Sequence, residues 1–323
     1  MKMILKFLGG LALFGFGMNL MTENLKCAAG EGIKRVLTAM TKNPLAGVLA
    51  GTAASAVLQS SGVVTVMVIG FVSAGFMTLP QAVTVIMGAN IGTTVTAQLI
   101  AFQINDYIWI VVFVGFLIYF IGEQKNTKLT GLVLLGCGIL FVGIDTMKTA
   151  MGPLAASTIF VNMMRKVADI PVLGVLTGTL MTMIVQSSNA TIAVLQSLAL
   201  QPAKDGVSSI IGLSGAACVM MGDNIGTTFL SLLASVGQPV NARRAAVCHS
   251  FLNISGSILF LILLPWFTRF IIWISPKGPE VDVIARQIAN AHTVFNLACT
   301  FLWLPFTKVM VKAVKIMVPD ERE

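Results

Sequence analysis

Two short polar motifs occur twice in an otherwise apolar chain. Gln-Ser-Ser begins at Gln59 and again at Gln186, and Asn-Ile-Gly-Thr-Thr begins at Asn90 and again at Asn224. Their side chains are uncharged and offer hydroxyl and amide groups, which can donate to an anion or coordinate a cation. We therefore expect the four motifs to form the two halves of one polar site inside an apolar body.

Each Gln-Ser-Ser motif is expected to expose the beginning of a helix. Serine caps helix N-termini, and the first turn of a helix leaves backbone N–H groups free. Such an end carries about half a positive charge, so it suits an anion with several oxygens, such as phosphate. The candidate anion-binding residues are Ser60, Ser61, Gly62, Ser187, Ser188 and Asn189.

The helix that ends at each motif leaves free carbonyl groups of the opposite polarity. With neutral side-chain oxygens, these carbonyls can coordinate a hard monovalent cation, as in Na⁺ symporters built from broken helices. The candidate sodium ligands are Gln59, Asn90, Thr93, Thr94, Gln186, Asn224, Thr227 and Thr228.

One carboxylate falls inside the second polar motif, where Asp223 stands in place of Ala89 of the first copy. A carboxylate within a membrane span is costly and indicates a functional role. We expect Asp223 to balance a bound cation or to tune coupling. The alternative is a carboxylate that lies in water at a helix end.

The composition places these motifs in a lipid bilayer. Of the 323 residues, 56% are hydrophobic and 11% are charged, whereas a soluble globular chain carries about 25% charged residues. Long apolar runs without strand alternation predict transmembrane helices. The net charge of +8 is typical of a membrane protein whose loops carry basic residues that face anionic headgroups. We therefore do not expect nucleic-acid binding. Five scattered cysteines indicate neither disulfides nor a metal site.

The apolar runs place each Gln-Ser-Ser motif in a re-entrant helical hairpin. Residues 44–79 are too many for one span and too few for two, because a span needs about 20 residues. We predict that the chain enters the membrane, breaks at Gln59 and returns, and that residues 171–201 do the same. The Asn-Ile-Gly-Thr-Thr motifs are expected to interrupt the spans that follow, at 80–103 and 208–236.

The duplication divides the chain into two repeats. Residues 1–122 form the first, 123–128 a link, 129–275 the second, and 276–323 the last span and a short tail. The first repeat crosses the membrane three times, at 3–21, 80–103 and 107–122, so the second must be inverted. Residues 23–43 suit an interfacial helix. The predicted fold is an all-α polytopic membrane protein of two inverted repeats, with about seven spans plus two re-entrant hairpins.

Together with Cys-His-Ser-Phe-Leu-Asn-Ile-Ser-Gly at residues 248–256, these motifs resemble the type II sodium–phosphate cotransporter family in its short bacterial form. The resemblance covers nearly the whole chain. It implies a multi-pass protein of the cell (inner) membrane that takes up inorganic phosphate with Na⁺ by alternating access, with no other cofactor and no enzymatic activity. Animal members have a third serine or a threonine-rich stretch where Gly62 and Asn189 stand here. A homodimer is left open.

Three alternatives share some of these features. A symporter for another oxyanion, such as arsenate or a phosphonate, and a passive anion channel would use a similar polar site. An intramembrane serine protease is the third, because Gly-Leu-Ser-Gly around Ser214 resembles the rhomboid nucleophile motif and His292 resembles its base.

Two histidines each precede an asparagine by four residues: His292 precedes Asn296, and His249 precedes Asn253. We interpret these pairs as helix-packing residues, with a protonation switch as the alternative.

Overall fold

The structure is a computed structural model that describes residues 2–29, 43–102, 107–155 and 158–320. Helices dominate these ranges, in which no β-strand forms apart from one isolated bridge between Pro202 and Ser209. The helices are α1 (Lys2–Ala29), α2 (Pro44–Leu58), α3 (Ser61–Ser73), α4 (Leu79–Ile100), α5 (Ile108–Ile121), α6 (Lys125–Ala155), α7 (Thr158–Asp169), α8 (Pro171–Val185), α9 (Ser188–Ala199), α10 (Gly212–Ala234), α11 (Val240–Ile262), α12 (Leu264–Ile274), α13 (Glu280–Trp303) and α14 (Thr307–Met317).

Among the described residues, five helices are long and apolar enough to cross a membrane, and two bent pairs of helices would raise the number to seven. The all-helical, multi-span prediction is confirmed at this level. The five are Lys2–Ala28, Leu79–Ile100, Lys125–Gly152, Gly212–Ala234 and Val240–Ile262. The predicted span at 245–274 is instead divided at Leu263, because Pro265 begins a new helix there. Most of the interfacial helix predicted at 23–43 lies outside the described residues.

The chain breaks at both Gln-Ser-Ser motifs, as the sequence predicts. α2 ends at Leu58 and α3 begins at Ser61, and the same pattern separates α8 from α9. The turn is made by Gln59 and Gln186, whose φ values of 52° and 55° are left-handed. No other non-glycine residue in the described ranges has a positive φ. This conformation is uncommon outside glycine, and it marks both breaks as built features.

The predicted interruption of the next spans is wrong. α4 and α10 continue through their Asn-Ile-Gly-Thr-Thr motifs without a break. Two of the threonine hydroxyls bond within their own helix, Thr94 to the carbonyl of Ile91 and Thr228 to that of Ile225, each at 2.8 Å.

The glycines of these motifs serve close helix packing. A Cβ atom added to Gly88 of α4 would overlap the carbonyl oxygen of Val48 in α2. In the second half, a Cβ atom on Gly222 of α10 would overlap the carbonyl oxygen of Val175 in α8. α2 therefore lies against α4 just as α8 lies against α10, with the backbones in contact.

α1 and α6 pack through two pairs of glycines. Gly10 faces Gly143, and Gly17 faces Gly136, with no room for a Cβ atom at any of the four. The residue numbers run in opposite directions, so the helices are antiparallel. Gly10 aligns with Gly136 in the duplicated sequence, and Gly17 with Gly143. Exchanging the two halves of the chain therefore reproduces the same contact.

Candidate functional site

The two Gln-Ser-Ser breaks line one cavity of about 380 Å³. Residues that are far apart in the sequence therefore meet, as the duplicated motif predicts. α1 forms another wall, with Asn19 and Thr22 among its polar residues, and α10 contributes Thr227. From the breaks themselves the lining residues are Gln59, Ser60, Gly62, Gln186, Ser187, Ser188 and Asn189.

Two helix N-termini open at this cavity. The Ser60 Oγ accepts a hydrogen bond from the backbone N–H of Val63 at 3.2 Å and so caps α3. The Ser187 Oγ caps α9 by the same bond, from Ala190 at 3.2 Å. Each serine accepts with its oxygen and keeps its own hydrogen for a ligand. None of the described residues that line the cavity is charged, so its polar character comes from the helix ends and from hydroxyl and amide groups.

The two breaks are joined directly by Asn189. Its Nδ2 donates to the backbone carbonyl of Gln59 at 2.6 Å. This bond satisfies a carbonyl at the end of α2 that would otherwise have no helical partner. In the first repeat Gly62 stands at the equivalent position, so no matching side chain reaches back to Gln186.

The two halves of the site differ in exposure. The Gln59 side chain is only 6% exposed and accepts from Thr22 Oγ1 at 3.4 Å. The Gln186 side chain is exposed, and its Nε2 donates to the carbonyl of Met183 in its own helix. The first glutamine is thus buried at the cavity wall, whereas the second is exposed.

The helices α1 and α6 also cover the two breaks to different extents. Ala190, three residues after the capping serine of the second repeat, is 8% exposed because it packs in one apolar cluster with Phe141 and Ile144 of α6. Its equivalent in the first repeat, Val63, is 39% exposed. α6 therefore covers α9, whereas α1 stands away from α3 and lines the cavity instead.

Asp223 lies behind the cavity wall. It is fully buried in α10, so a location in water at a helix end is wrong. Its Oδ1 accepts from Thr182 Oγ1 at 2.7 Å, and within the described part of the chain its Oδ2 has no partner. Thr182 lines the cavity and also bonds Thr191 at 3.0 Å. The sequence reasoning missed Thr182, although it lies one helical turn before Gln186 on the same face.

Six predicted ligands besides Asp223 do not line the cavity. Ser61 is buried in the first turn of α3, and Thr93 is buried in α4, where its Oγ1 has no partner among the described residues. Asn90 and Asn224 bond instead to histidines of α11 and α13. The six residues are Ser61, Asn90, Thr93, Thr94, Asn224 and Thr228.

The serine protease geometry is not formed. His292 is buried and its Nε2 lies 3.4 Å from Asn224 Oδ1. Ser214 lies ten residues before Asn224 in α10, which is about 15 Å along the helix axis. A hydroxyl at that distance cannot share a proton with the imidazole.

Comparison with known proteins agrees with a transporter. The model of the Na⁺/Pi-cotransporter family matches residues 13–149 and 153–295. "Uncharacterized protein YqeW" of Bacillus subtilis (strain 168) is 30% identical over 319 residues, which cover 99% of each chain. "Putative inorganic phosphate export protein YjbB" of Escherichia coli (strain K12) is 26% identical over 327 residues, which cover 100% of this chain but 57% of that protein.

An animal protein shares part of the chain. "Sodium-dependent phosphate transport protein 2B" of Homo sapiens is 34% identical over 183 residues, or 54% of this chain and 25% of that protein. No solved structure gives a significant match. The family consists of transporters, so the protease alternative is wrong. With a family match over nearly all of its length, the chain belongs to the Na⁺/Pi-cotransporter family.

Proposed function

We propose that the protein is a sodium-coupled symporter that moves inorganic phosphate across the cell membrane by alternating access. The observation that carries this proposal is the meeting of two capped helix N-termini, at Ser60 and Ser187, in one uncharged cavity. The names of the E. coli and human relatives, a phosphate exporter and a sodium-dependent phosphate transporter, support phosphate as the substrate.

In this proposal phosphate is held by neutral donors. The hydroxyl groups of Ser60, Ser187 and Ser188 and the free N–H groups of the two first turns surround its oxygens. Charged partners such as arginine would bind phosphate more strongly, in bidentate pairs. A transporter has to release its substrate on the other side, and a site without lysine or arginine suits that requirement.

Sodium is proposed to bind between the cavity and Asp223. Thr182 reaches both, and Thr227 adds a second hydroxyl on the cavity wall. When Asp223 is ionised and no cation lies beside it, its buried carboxylate would repel an incoming phosphate across a medium of low dielectric constant. A bound Na⁺ removes that repulsion, so phosphate binds well only when Na⁺ is present. This is a physical basis for coupling.

We further propose that the two halves are inverted repeats with re-entrant hairpins. The reciprocal glycine contacts of the antiparallel α1 and α6 support the inversion. The same exchange of halves gives the proposed motion. In the present state α6 covers α9, and in the opposite state α1 would cover α3. Gln186 would then be buried and Gln59 exposed. Alternating access then follows from repeats that trade environments.

The test is uptake of labelled phosphate into liposomes that contain the purified protein. An inward Na⁺ gradient is compared with an equal K⁺ gradient, with unlabelled arsenate and a phosphonate as competitors. We expect accumulation above equilibrium with Na⁺ only, and stronger inhibition by phosphate than by either competitor. Equal flux in Na⁺ and K⁺ without accumulation would identify a passive channel, and preferential inhibition by a competitor would identify another oxyanion.

A further inference from the structure

α11 and α13 share a motif that contacts the two polar motifs of the central helices. Each has a histidine followed by a hydroxyl residue and, four positions after the histidine, by an asparagine. In α11 these are His249 and Asn253, and in α13 they are His292 and Asn296. All four side chains are buried.

The first of these motifs holds Asn90 at both ends of its amide group. His249 Nε2 lies 3.0 Å from Asn90 Oδ1, and Asn90 Nδ2 donates to Asn253 Oδ1 at 3.1 Å. Since an amide oxygen only accepts, His249 carries its proton on Nε2. Its Nδ1 then accepts from Ser231 Oγ at 3.0 Å. The network is closed, so α4 is fixed to α11 at the depth of Asn90.

The second motif repeats the contact in a looser form. His292 Nε2 lies 3.4 Å from Asn224 Oδ1, and Asn296 Nδ2 donates to the carbonyl of His292 at 2.9 Å. Asn224 Nδ2 turns back to Met220 in its own helix at 2.9 Å. The Nδ1 of His292 has no partner among the described residues.

The spacing Gly-x-Asn-x-Gly makes each central helix two-sided. Residues four apart share a helix face, and the residue midway between them lies on the opposite face. Gly88 and Gly92 therefore pack on the backbone of α2, while Asn90 faces α11. α2 ends at Gln59, in the first break. The position of that break thus depends on α2, then α4, and finally α11.

We propose that His249 and His292 are positioning residues, which fix α4 and α10 so that α2 and α8 present their breaks to the cavity. Asn90 and Asn224 are then anchors and do not coordinate sodium. Only the expected effect of the histidines on phosphate transport rests on the proposed function. Its structural part, that each histidine positions one break, stands on the contacts alone.

Two substitutions separate the nitrogens of His249. In His249→Gln the amide nitrogen takes the place of Nε2 and keeps the bond to Asn90, whereas the shorter side chain of His249→Asn reaches only the position of Nδ1. Ser250→Ala is the matched control, because the Ser250 hydroxyl is buried without a partner among the described residues. His292→Asn tests the second motif.

Hydrogen–deuterium exchange at the two breaks is the decisive readout. His249→Asn is expected to speed exchange about ten-fold or more at the amides of Val63 and Val64, which donate to Ser60, because it leaves a buried acceptor unpaired in one repeat. The amides of Ala190 and Thr191, which donate to Ser187, should be unchanged. His292→Asn should do the reverse, and His249→Gln and Ser250→Ala should match the wild type. Equal acceleration at both breaks in either variant, or none, would overturn the proposal.

Transport is measured on the same proteins at equal folded amount. His249→Asn should raise the phosphate KM about ten-fold, and His249→Gln should restore it. A fall in maximal rate with unchanged KM would show a merely structural role and would overturn the positioning of the site. If the wild type transports no phosphate, the proposed function fails, while the exchange pattern still decides whether each histidine positions its break.

Discussion

Removal of the Ser60 hydroxyl should weaken phosphate transport without unfolding the protein. Ser60 has two roles that different substitutions separate. Its oxygen caps α3 through the bond from Val63 at 3.2 Å, and its hydrogen is free to donate to phosphate. Loss of a serine cap costs about 0.5–2 kcal/mol in alanine variants but only a few tenths in glycine variants. Ser60→Gly therefore removes the donor and keeps most of the stability.

The expected size follows from the charge of the ligand. A hydrogen bond to a charged group contributes about 1.5–3 kcal/mol, which corresponds to about a 12- to 140-fold increase in the phosphate KM. Ser60→Gly and Ser60→Ala should show this increase equally, whereas only Ser60→Ala should lower the apparent melting temperature. Ser60→Thr keeps both groups and serves as the control.

The assay is the initial rate of labelled phosphate uptake into liposomes at saturating Na⁺, over a range of phosphate concentrations. A wild-type KM in Ser60→Gly would contradict the proposed phosphate site, because it would mean that the hydroxyl does not touch the substrate. A KM change in Ser60→Ala alone would mean that the cap, and not the donor, matters.

Three further predictions test other parts of the site. Asp223→Asn should raise the Na⁺ concentration for half-maximal uptake about ten-fold or more, since the counter-charge for sodium is lost. A Na⁺ titration at fixed phosphate measures this concentration, and an unchanged value would contradict a role of Asp223 in coupling. Asn189→Ala leaves the carbonyl at the end of α2 without its 2.6 Å partner, so thermal unfolding in detergent should show a loss of about 1–3 kcal/mol. Gly178→Ala forces a Cβ atom into the backbone of α10 and should cost about 1–3 kcal/mol or more, whereas Gly9→Ala, which meets nothing within 4 Å, should be silent.

The breaks were predictable from the sequence, whereas the continuity of the central helices was not. A polar Gln-Ser-Ser in a run of apolar residues, introduced by Pro44 or Pro171, signals a helix end through local chemistry alone. Asn-Ile-Gly-Thr-Thr is polar like Gln-Ser-Ser, but its glycine lets the backbone of a neighbouring helix approach and does not end the helix. The partner of Asn90 is His249, 159 residues further on, and no local pattern identifies it.

The difference between the two halves was also hidden. The duplicated motifs predict equal half-sites, but in the structure Gln59 is buried and Gln186 is exposed. Such a difference depends on how α1 and α6 lie against the breaks. Their position is a property of the conformational state, and the repeated motif does not encode it. The environment of Asp223 was likewise set by tertiary packing, since its burial places Thr182 between the carboxylate and the cavity.

The most direct test of the account is equilibrium binding of labelled phosphate to the purified protein in Na⁺ and in K⁺. Two half-sites that share one cavity should bind one phosphate per chain in Na⁺, with much weaker binding in K⁺, and either Ser60→Gly or Ser187→Gly alone should weaken that single site. Two phosphates per chain, with each substitution removing one of them, would contradict a shared site. Equal affinity in Na⁺ and K⁺ would contradict the coupling of phosphate to sodium.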